Sequence, residues 1–244
     1  MKTYRDRAII LRTYKLGEAD RIVVLLGEKT GQIRAVAKGI RKPTSRFGAR
    51  LTPFNLVDIQ LHEGRTLETI TQAELLSGYG SVLADDYAGF TAAKVMVEAT
   101  QKLTDSSSEV EPAYFRLLHG ALAALSSHRQ PPDLLAAAFL LRAMAAGGWR
   151  ASVETCASCG AASPLSAFSP EAGGFLCAPC AKEGSSGVAP GTAQLAAALM
   201  TGQWDETQDA SHLVKEQALT VASKWAEWHL EGKLRTIPYL KAES

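Results

Sequence analysis

The chain has 244 residues, 46% hydrophobic and 21% charged, which excludes an intrinsically disordered protein and leaves room for one to three domains. No apolar run approaches the ~20 residues needed to span a bilayer, and the opening MKTYRDRAII lacks the long apolar region of a secretory signal; a cytoplasmic protein with no membrane partner is expected. The net charge of +1 hides an asymmetry: residues 1 to 80 hold fourteen Lys and Arg against eight Asp and Glu, and the remainder holds twelve against seventeen.

The first eighty residues read as all-β. Arg7 to Tyr14 (RAIILRTY) and Asp20 to Leu26 (DRIVVLL) have the Ile, Val and Leu density of buried strands, and Glu28 to Gly31 has the composition of a turn. A third strand begins at Ile33. In Phe54 to His62, Val57, Ile59 and Leu61 alternate with Asp58, Gln60 and His62, and Glu63-Gly64-Arg65 turns the chain into a fifth strand, Thr66 to Ala73. Five short strands in this length predict a small Greek-key barrel, with the oligonucleotide-binding (OB) fold as the common solution. An SH3-like barrel would read almost the same.

The third strand carries the charge. In Ile33 to Leu51 (IRAVAKGIRKPTSRFGARL), Ile33, Ala35 and Ala37 alternate with Arg34, Val36 and Lys38, and past Gly39 the cations continue. Arg34, Lys38, Arg41, Lys42, Arg46 and Arg50 share a window with no Asp or Glu. A strand feeding a mobile cationic loop suits a phosphate backbone, because each cation that reaches a phosphate releases condensed counterions. The competing reading is a solvated loop that keeps the protein soluble. Phe47 is the one aromatic in the window, able either to stack on a base or to pack over the barrel end.

After Gly80 the periodicity becomes helical, so the expected division is a DNA-binding barrel over 1–80 and a helical domain over 81–244. Ala84 to Leu103 and Pro112 to His128 read as helices separated by a polar connector, Asp105 to Glu109. Pro131-Pro132-Asp133 starts a third helix whose body, LLAAAFLLRAMAA, is apolar nearly all round and is expected to be central. Pro190 to Met200 and Ser211 to Leu234 are helical again. Val214, Ala218, Val221, Trp225 and Trp228 mark a core stripe in the last of these, although a Trp stripe can also stack on bases.

Between the helices, 152–186 is rich in Gly, Ala, Ser and Pro and holds all four cysteines, Cys156-Ala-Ser-Cys159 and Cys177-Ala-Pro-Cys180. Two C-x-x-C pairs seventeen residues apart match a tetrahedral zinc site with four cysteine ligands. With every ligand a cysteine, no position is left open for water, so one structural zinc per chain is expected. Redox disulfides are the alternative. Elsewhere there is no phosphate loop, no H-E-x-x-H, no G-x-S-x-G and no dinucleotide fingerprint, and the five His residues are scattered. An enzyme is not expected.

GEADRIVVLL (Gly17 to Leu26), the Gly31 turn, AKGIRK (Ala37 to Lys42), Ser45-Arg46 and Pro53 together resemble the signature of the RecO family of DNA repair and recombination proteins. The order of parts agrees: barrel, helices, C-x-x-C…C-x-x-C insert, more helices, and a closing LRTIPYL (Leu234 to Leu240). The resemblance covers nearly the whole chain, is densest before residue 65 and is closest to actinobacterial members. It implies an OB barrel, a helical domain with a zinc-binding insert, and a non-enzymatic mediator of the RecF-pathway type. Such proteins bind single- and double-stranded DNA, anneal strands, and with RecR help replace single-strand-binding protein by the recombinase RecA. A nucleoid-associated location follows.

The family's pocket for the acidic C-terminal tail of single-strand-binding protein lies in the helical part, where Arg116, Arg129, Arg142 and Arg150 precede the insert. Two other functions fit the residues alone: a zinc-stabilised protein-interaction adaptor without direct DNA binding, and an RNA-binding barrel.

Overall fold

The computed structural model describes residues 2–105, 111–162 and 164–241. All of the expected polar connector past Asp105 lies outside the described residues. By internal contacts the chain forms two compact units, one of 1–93 with 100–127 and one of 94–99 with 128–244.

In the first unit, β1 (Thr3–Leu16), β2 (Asp20–Gly27), β3 (Gly31–Ala37), β4 (Leu56–His62) and β5 (Glu68–Ser77) close into a barrel in the order β1-β2-β3-β5-β4. This is the expected five-stranded, OB-like architecture. β1 is longer than the alternation suggested because it pairs twice: Thr3 to Ile9 lie along β4, and Ala8 to Leu16 lie along β2. A bulge between Ile10 and Arg12 bends the strand from one partner to the other.

Ala8, Ile10, Val23, Leu25, Ile33, Ala35, Val57, Ile59, Leu61 and Ile70 fill the interior. Phe47 and Leu51, from the segment between β3 and β4, join the same core at 1% and 2% exposure. Each such burial is worth roughly 1.5–3 kcal/mol, so the expectation of a mobile basic loop is corrected: two large apolar anchors and a 3-10 turn at Gly48–Leu51 hold it against the barrel. Asn55 secures the far side. Its Nδ2 donates to the Ala49 carbonyl at 3.0 Å, and its Oδ1 accepts from the Gly80 N–H at 2.9 Å.

Asp6 organises the β2–β3 turn. One carboxylate oxygen accepts from the Lys29 N–H at 3.0 Å, the Thr30 N–H at 3.1 Å and the Thr30 hydroxyl at 2.8 Å. After β5 come the short α1 (Tyr79–Val82), α2 (Tyr87–Thr104), capped by the Asp86 carboxylate on the Gly89 N–H, and α3 (Pro112–Ser126). Phe90 of α2 meets Phe54 edge-on at 5.4 Å, and the side chains of Thr104 and Asp105 hold the Gln32 amide on the barrel wall.

The second unit is built on α4 (Pro132–Ala146), which packs against α5 (Thr192–Thr201) and α6 (His212–His229). Every residue from Leu134 to Leu141 is buried, as the all-round apolar pattern requires. The Trp stripe divides: Trp225 is buried and donates its indole N–H to the Trp149 carbonyl at 3.0 Å, whereas Trp228 is 54% exposed. His229 lies against both Trp149 and Trp225, its Nε2 buried without a hydrogen-bond partner among the described residues, and this burial holds its pKa below the ordinary imidazole value. A three-stranded ribbon, β6 (Leu165–Ser169), β7 (Gly174–Cys177) and β8 (Ser186–Gly187), carries the cysteines, and α7 (Ile237–Lys241) is the last described element. Among the described residues no helix is long and apolar enough to cross a membrane.

Replacing Asp6 by Ala leaves three turn donors without their acceptor and is expected to destabilise the protein by about 2 kcal/mol in urea denaturation. Asp6→Asn, which keeps an acceptor oxygen, should lose less.

Candidate nucleic-acid surface and metal centre

Arg34, Lys38, Arg41, Lys42, Arg46 and Arg50 are all exposed, Arg34 on the outer side of β3 and Lys38 just past its end. The segment after β3 is sewn to the β1–β2 turn. The Gly39 N–H donates to the Asp20 carboxylate at 2.7 Å, the Arg41 N–H to the Ala19 carbonyl at 2.9 Å, and the Arg41 guanidinium to the Gly17 carbonyl at 3.3 Å. Two further arginines are steadied locally: the Arg50 guanidinium donates to the Arg46 carbonyl, and the Arg46 guanidinium lies 5.2 Å from the Phe47 ring centre. Arg34, Lys38 and Lys42 make no ion pair among the described residues. These cations therefore stand in water with their charge unspent, which is what a phosphate-binding surface requires.

Phe47 does not belong to that surface. Its ring is in the barrel core, so of the two readings packing over the barrel end holds and Phe47 is not placed to stack on a base; burying the ring contributes roughly 1.5–3 kcal/mol. The exposed aromatic of this region is instead Tyr14 on β1, 36% exposed, with the Arg12 guanidinium 4.9 Å from its ring centre. Simple alternation from Ala8 and Ile10 would have pointed Arg12 and Tyr14 inward. The bulge at Leu11 turns both outward, and the signal was the arginine itself, standing at a position that period two assigns to the core.

At the opposite end of β3, Lys2, Arg5, Lys29 and Arg34 share a cleft of about 740 Å³ with Glu63 and Glu68. The Tyr4 hydroxyl donates to Glu68 there, and burial together with that carboxylate raises its pKa. Of the arginines considered for an acidic peptide, Arg142 is spent: its Nε and Nη2 donate to the Leu199 carbonyl at 2.9 and 2.6 Å at the end of α5. Arg116, Arg129 and Arg150 remain exposed, Arg116 in the first unit and the other two in the second.

The four cysteine sulfurs converge. All lie within 4.8 Å of one another, and Cys159 and Cys177 are 3.7 Å apart. A tetrahedral metal with bonds of about 2.3 Å to sulfur would set those sulfurs about 3.8 Å apart, so the donor set fits a thiophilic ion. Each C-x-x-C is a tight knuckle: the Gly160 N–H donates to the Cys156 carbonyl at 2.9 Å, and the Ala181 N–H to the Cys177 carbonyl at 3.1 Å. Gly160 supplies the positive φ of +76° that the first knuckle needs.

The ribbon has two faces of different character. Toward the thiols, Ala167 and Leu176 are the fully buried apolar residues besides cysteine among the described residues, with Ala157 and Leu165 partly buried beside them. On the other face Phe168 and Phe175 are fully buried, and Phe168 meets Trp225 of α6 at 6.1 Å. At Gly174 a Cβ would lie 2.3 Å from the Ser152 carbonyl oxygen, so only glycine lets the ribbon sit this close to the chain entering it. The ribbon is thus docked by aromatics on one side and short of core on the other.

The thiols do not ionise together. Backbone N–H groups of Cys177 and Cys159 draw the Cys156 thiol down to about 6, while contact with the Cys159 and Cys177 sulfurs, with burial, pushes Cys180 up to about 12. Cys177 is raised too: the Cys180 backbone N–H pulls it down, but burial and the neighbouring sulfurs outweigh that pull. A divalent cation removes the repulsion that keeps the last protons on.

A closed OB-like barrel with exposed cations in and after β3, joined to helices that carry a four-cysteine knuckle, defines a protein of the OB-fold class. The chain belongs to the RecO family: the model for "Recombination protein O N terminal" matches residues 1–79 and that for "Recombination protein O C terminal" matches 84–237. It is 42% identical to the DNA repair protein RecO of Frankia casuarinae, over 99% of both chains. It is also 42% identical to that of Cutibacterium acnes, over 99% of this chain and 100% of the relative, and 44% identical to that of a Nocardioides species, over 98% and 99%. Its role lies in DNA repair and recombination.

Because Cys177 and Cys180 hold their protons at neutral pH, loading the cluster with a divalent thiophilic metal at pH 7 should release at least two protons. Calorimetry in two buffers of different ionisation enthalpy measures this. Affinity should weaken as the pH falls and protons compete for the sulfurs.

Proposed function

We propose that this protein is a non-enzymatic recombination mediator of the RecF-pathway type, which binds single- and double-stranded DNA through the barrel of residues 1–80 and anneals complementary strands. On this reading RecR is its partner, the acidic C-terminal tail of single-strand-binding protein docks on the helical part (81–244), and RecA is loaded indirectly as a result, in the cytoplasm at the nucleoid. Family membership supports the role. The observation that carries DNA binding is the line of exposed cations from Arg34 to Arg50, none of them in an ion pair and three of them, Arg34, Lys38 and Lys42, without a side-chain hydrogen bond among the described residues, on a barrel of nucleic-acid-binding type. Contacts of this kind position a backbone without reading sequence.

We further propose that Cys156, Cys159, Cys177 and Cys180 hold one zinc ion per chain and that its role is structural. The fit of the sulfur spacing and the thin apolar packing on that face of the ribbon support this. When bound, zinc supplies four bonds that replace a missing core. The zinc site concerns the stability of the second unit and takes no part in holding DNA.

If Arg34, Lys38 and Lys42 each neutralise a phosphate, the triple alanine variant should flatten the log-log salt dependence of single-strand binding by roughly 2, at ~0.7 per contact. Anisotropy of a labelled oligonucleotide across a salt series reads this. A folded variant with the parent's slope and affinity would place DNA on another face. For the metal, protein purified without chelator should contain about one zinc per chain, and any single Cys→Ser substitution should lower thermal stability while leaving the DNA salt slope unchanged. Elemental analysis without zinc would refute the assignment.

A further inference from the structure

The outer face of β1, β2 and β3 is ordered in rows by strand register. Tyr14 pairs with Ile22, and Ile22 with Val36; one row over, Arg12 pairs with Val24, and Val24 with Arg34. Residues paired across strands share a face, so Tyr14, Ile22 and Val36 form a continuous apolar strip. Ile22 and Val36 are half-buried and Tyr14 is exposed, leaving the strip open to solvent. Arg12 and Arg34 border it on one side. On the other side the next row is Leu16 and Asp20, whose carboxylate accepts from the Gly39 N–H, and Lys38 follows two residues beyond Val36 on the same side of the chain.

We propose that Tyr14 is a base-stacking residue and that it makes the barrel prefer single-stranded over duplex DNA. This rests on the reading of the barrel as the DNA-binding part. The Arg12 guanidinium, 4.9 Å from the ring centre, holds one side of the phenol, so the other side can receive a base. The aliphatic floor of Ile22 and Val36 supports the base edge, while Arg34 and Lys38 lie to either side, where the phosphates flanking a flattened nucleotide would run. A duplex keeps its bases stacked on one another and can offer this face only phosphates. An unpaired strand can offer both, and every base has a π-face, so the preference is for single-strandedness and carries no sequence information.

The test compares Tyr14→Ala and Tyr14→Phe with the parent, using oligodeoxythymidylate and a duplex of equal length in anisotropy titrations at several salt concentrations. Tyr14→Ala should weaken single-strand binding roughly 5- to 100-fold with the salt slope and the duplex affinity unchanged, because the lost contact carries no charge. Tyr14→Phe keeps the ring and should bind like the parent. Irradiating the parent bound to a 5-bromouracil oligonucleotide should give a cross-link that maps to Tyr14. Equal loss on both DNA forms would overturn stacking in favour of a structural role for the ring, and undiminished single-strand binding by Tyr14→Ala would overturn it while leaving DNA binding by the barrel intact. A parent protein that binds neither form would overturn both readings.

Discussion

Closure of the barrel through one bent strand is the constraint on which the first unit depends. β1 hydrogen-bonds to β4 along its first half and to β2 along its second, and in a closed barrel of five strands it has to bend to pass from one to the other. The extra residue at Leu11 supplies the bend and strengthens the local twist. It also reverses the parity of everything after it. Ala8 and Ile10 point into the barrel, while Arg12 and Tyr14 point out, onto the side of the sheet where β3 presents Arg34 and Val36. One backbone irregularity thus both closes the core and composes the outer face.

A closed barrel still has open ends, and the segment between β3 and β4 covers one of them. Phe47 and Leu51 go inward, and the cations around them, Arg46 and Arg50 among them, stay in water. Long charged side chains can do this at little cost, since burying the neighbouring apolar groups does not require the charges to be desolvated. Their mutual repulsion is softened by solvent and salt. The result is a surface whose backbone is anchored and whose charges are uncommitted, a combination that a loosely tethered loop would not give.

The cysteine ribbon solves a different problem. Its aromatic face is bound into the second unit through Phe168, Phe175 and Trp225, and its thiol face buries little among the described residues beyond Ala167 and Leu176. Four sulfurs within 4.8 Å resist simultaneous ionisation, and that resistance disappears when a cation is shared among them. The two faces therefore depend on different forces, hydrophobic packing on one side and ligation chemistry on the other.

The five strands, the apolar helix at Leu134 to Leu141, the cysteine pairs, the cationic window and the resemblance to the RecO family can all be read from the order of residues. These are legible because they are local: alternation, helical period, ligand spacing and charge are properties of neighbours along the chain. Which of the conspicuous side chains reach the surface is set by contacts between distant parts of the chain. Phe47 goes into the core and Tyr14 comes out of it, because a bulge in β1 and the open end of a barrel are fixed by pairing with distant strands. Trp225 and Trp228, three residues apart, separate into core and solvent according to where the ribbon docks on α6. Arg142 looks like a surface cation in the sequence and is drawn to the Leu199 carbonyl, because an unpaired helix end 57 residues away needs a donor.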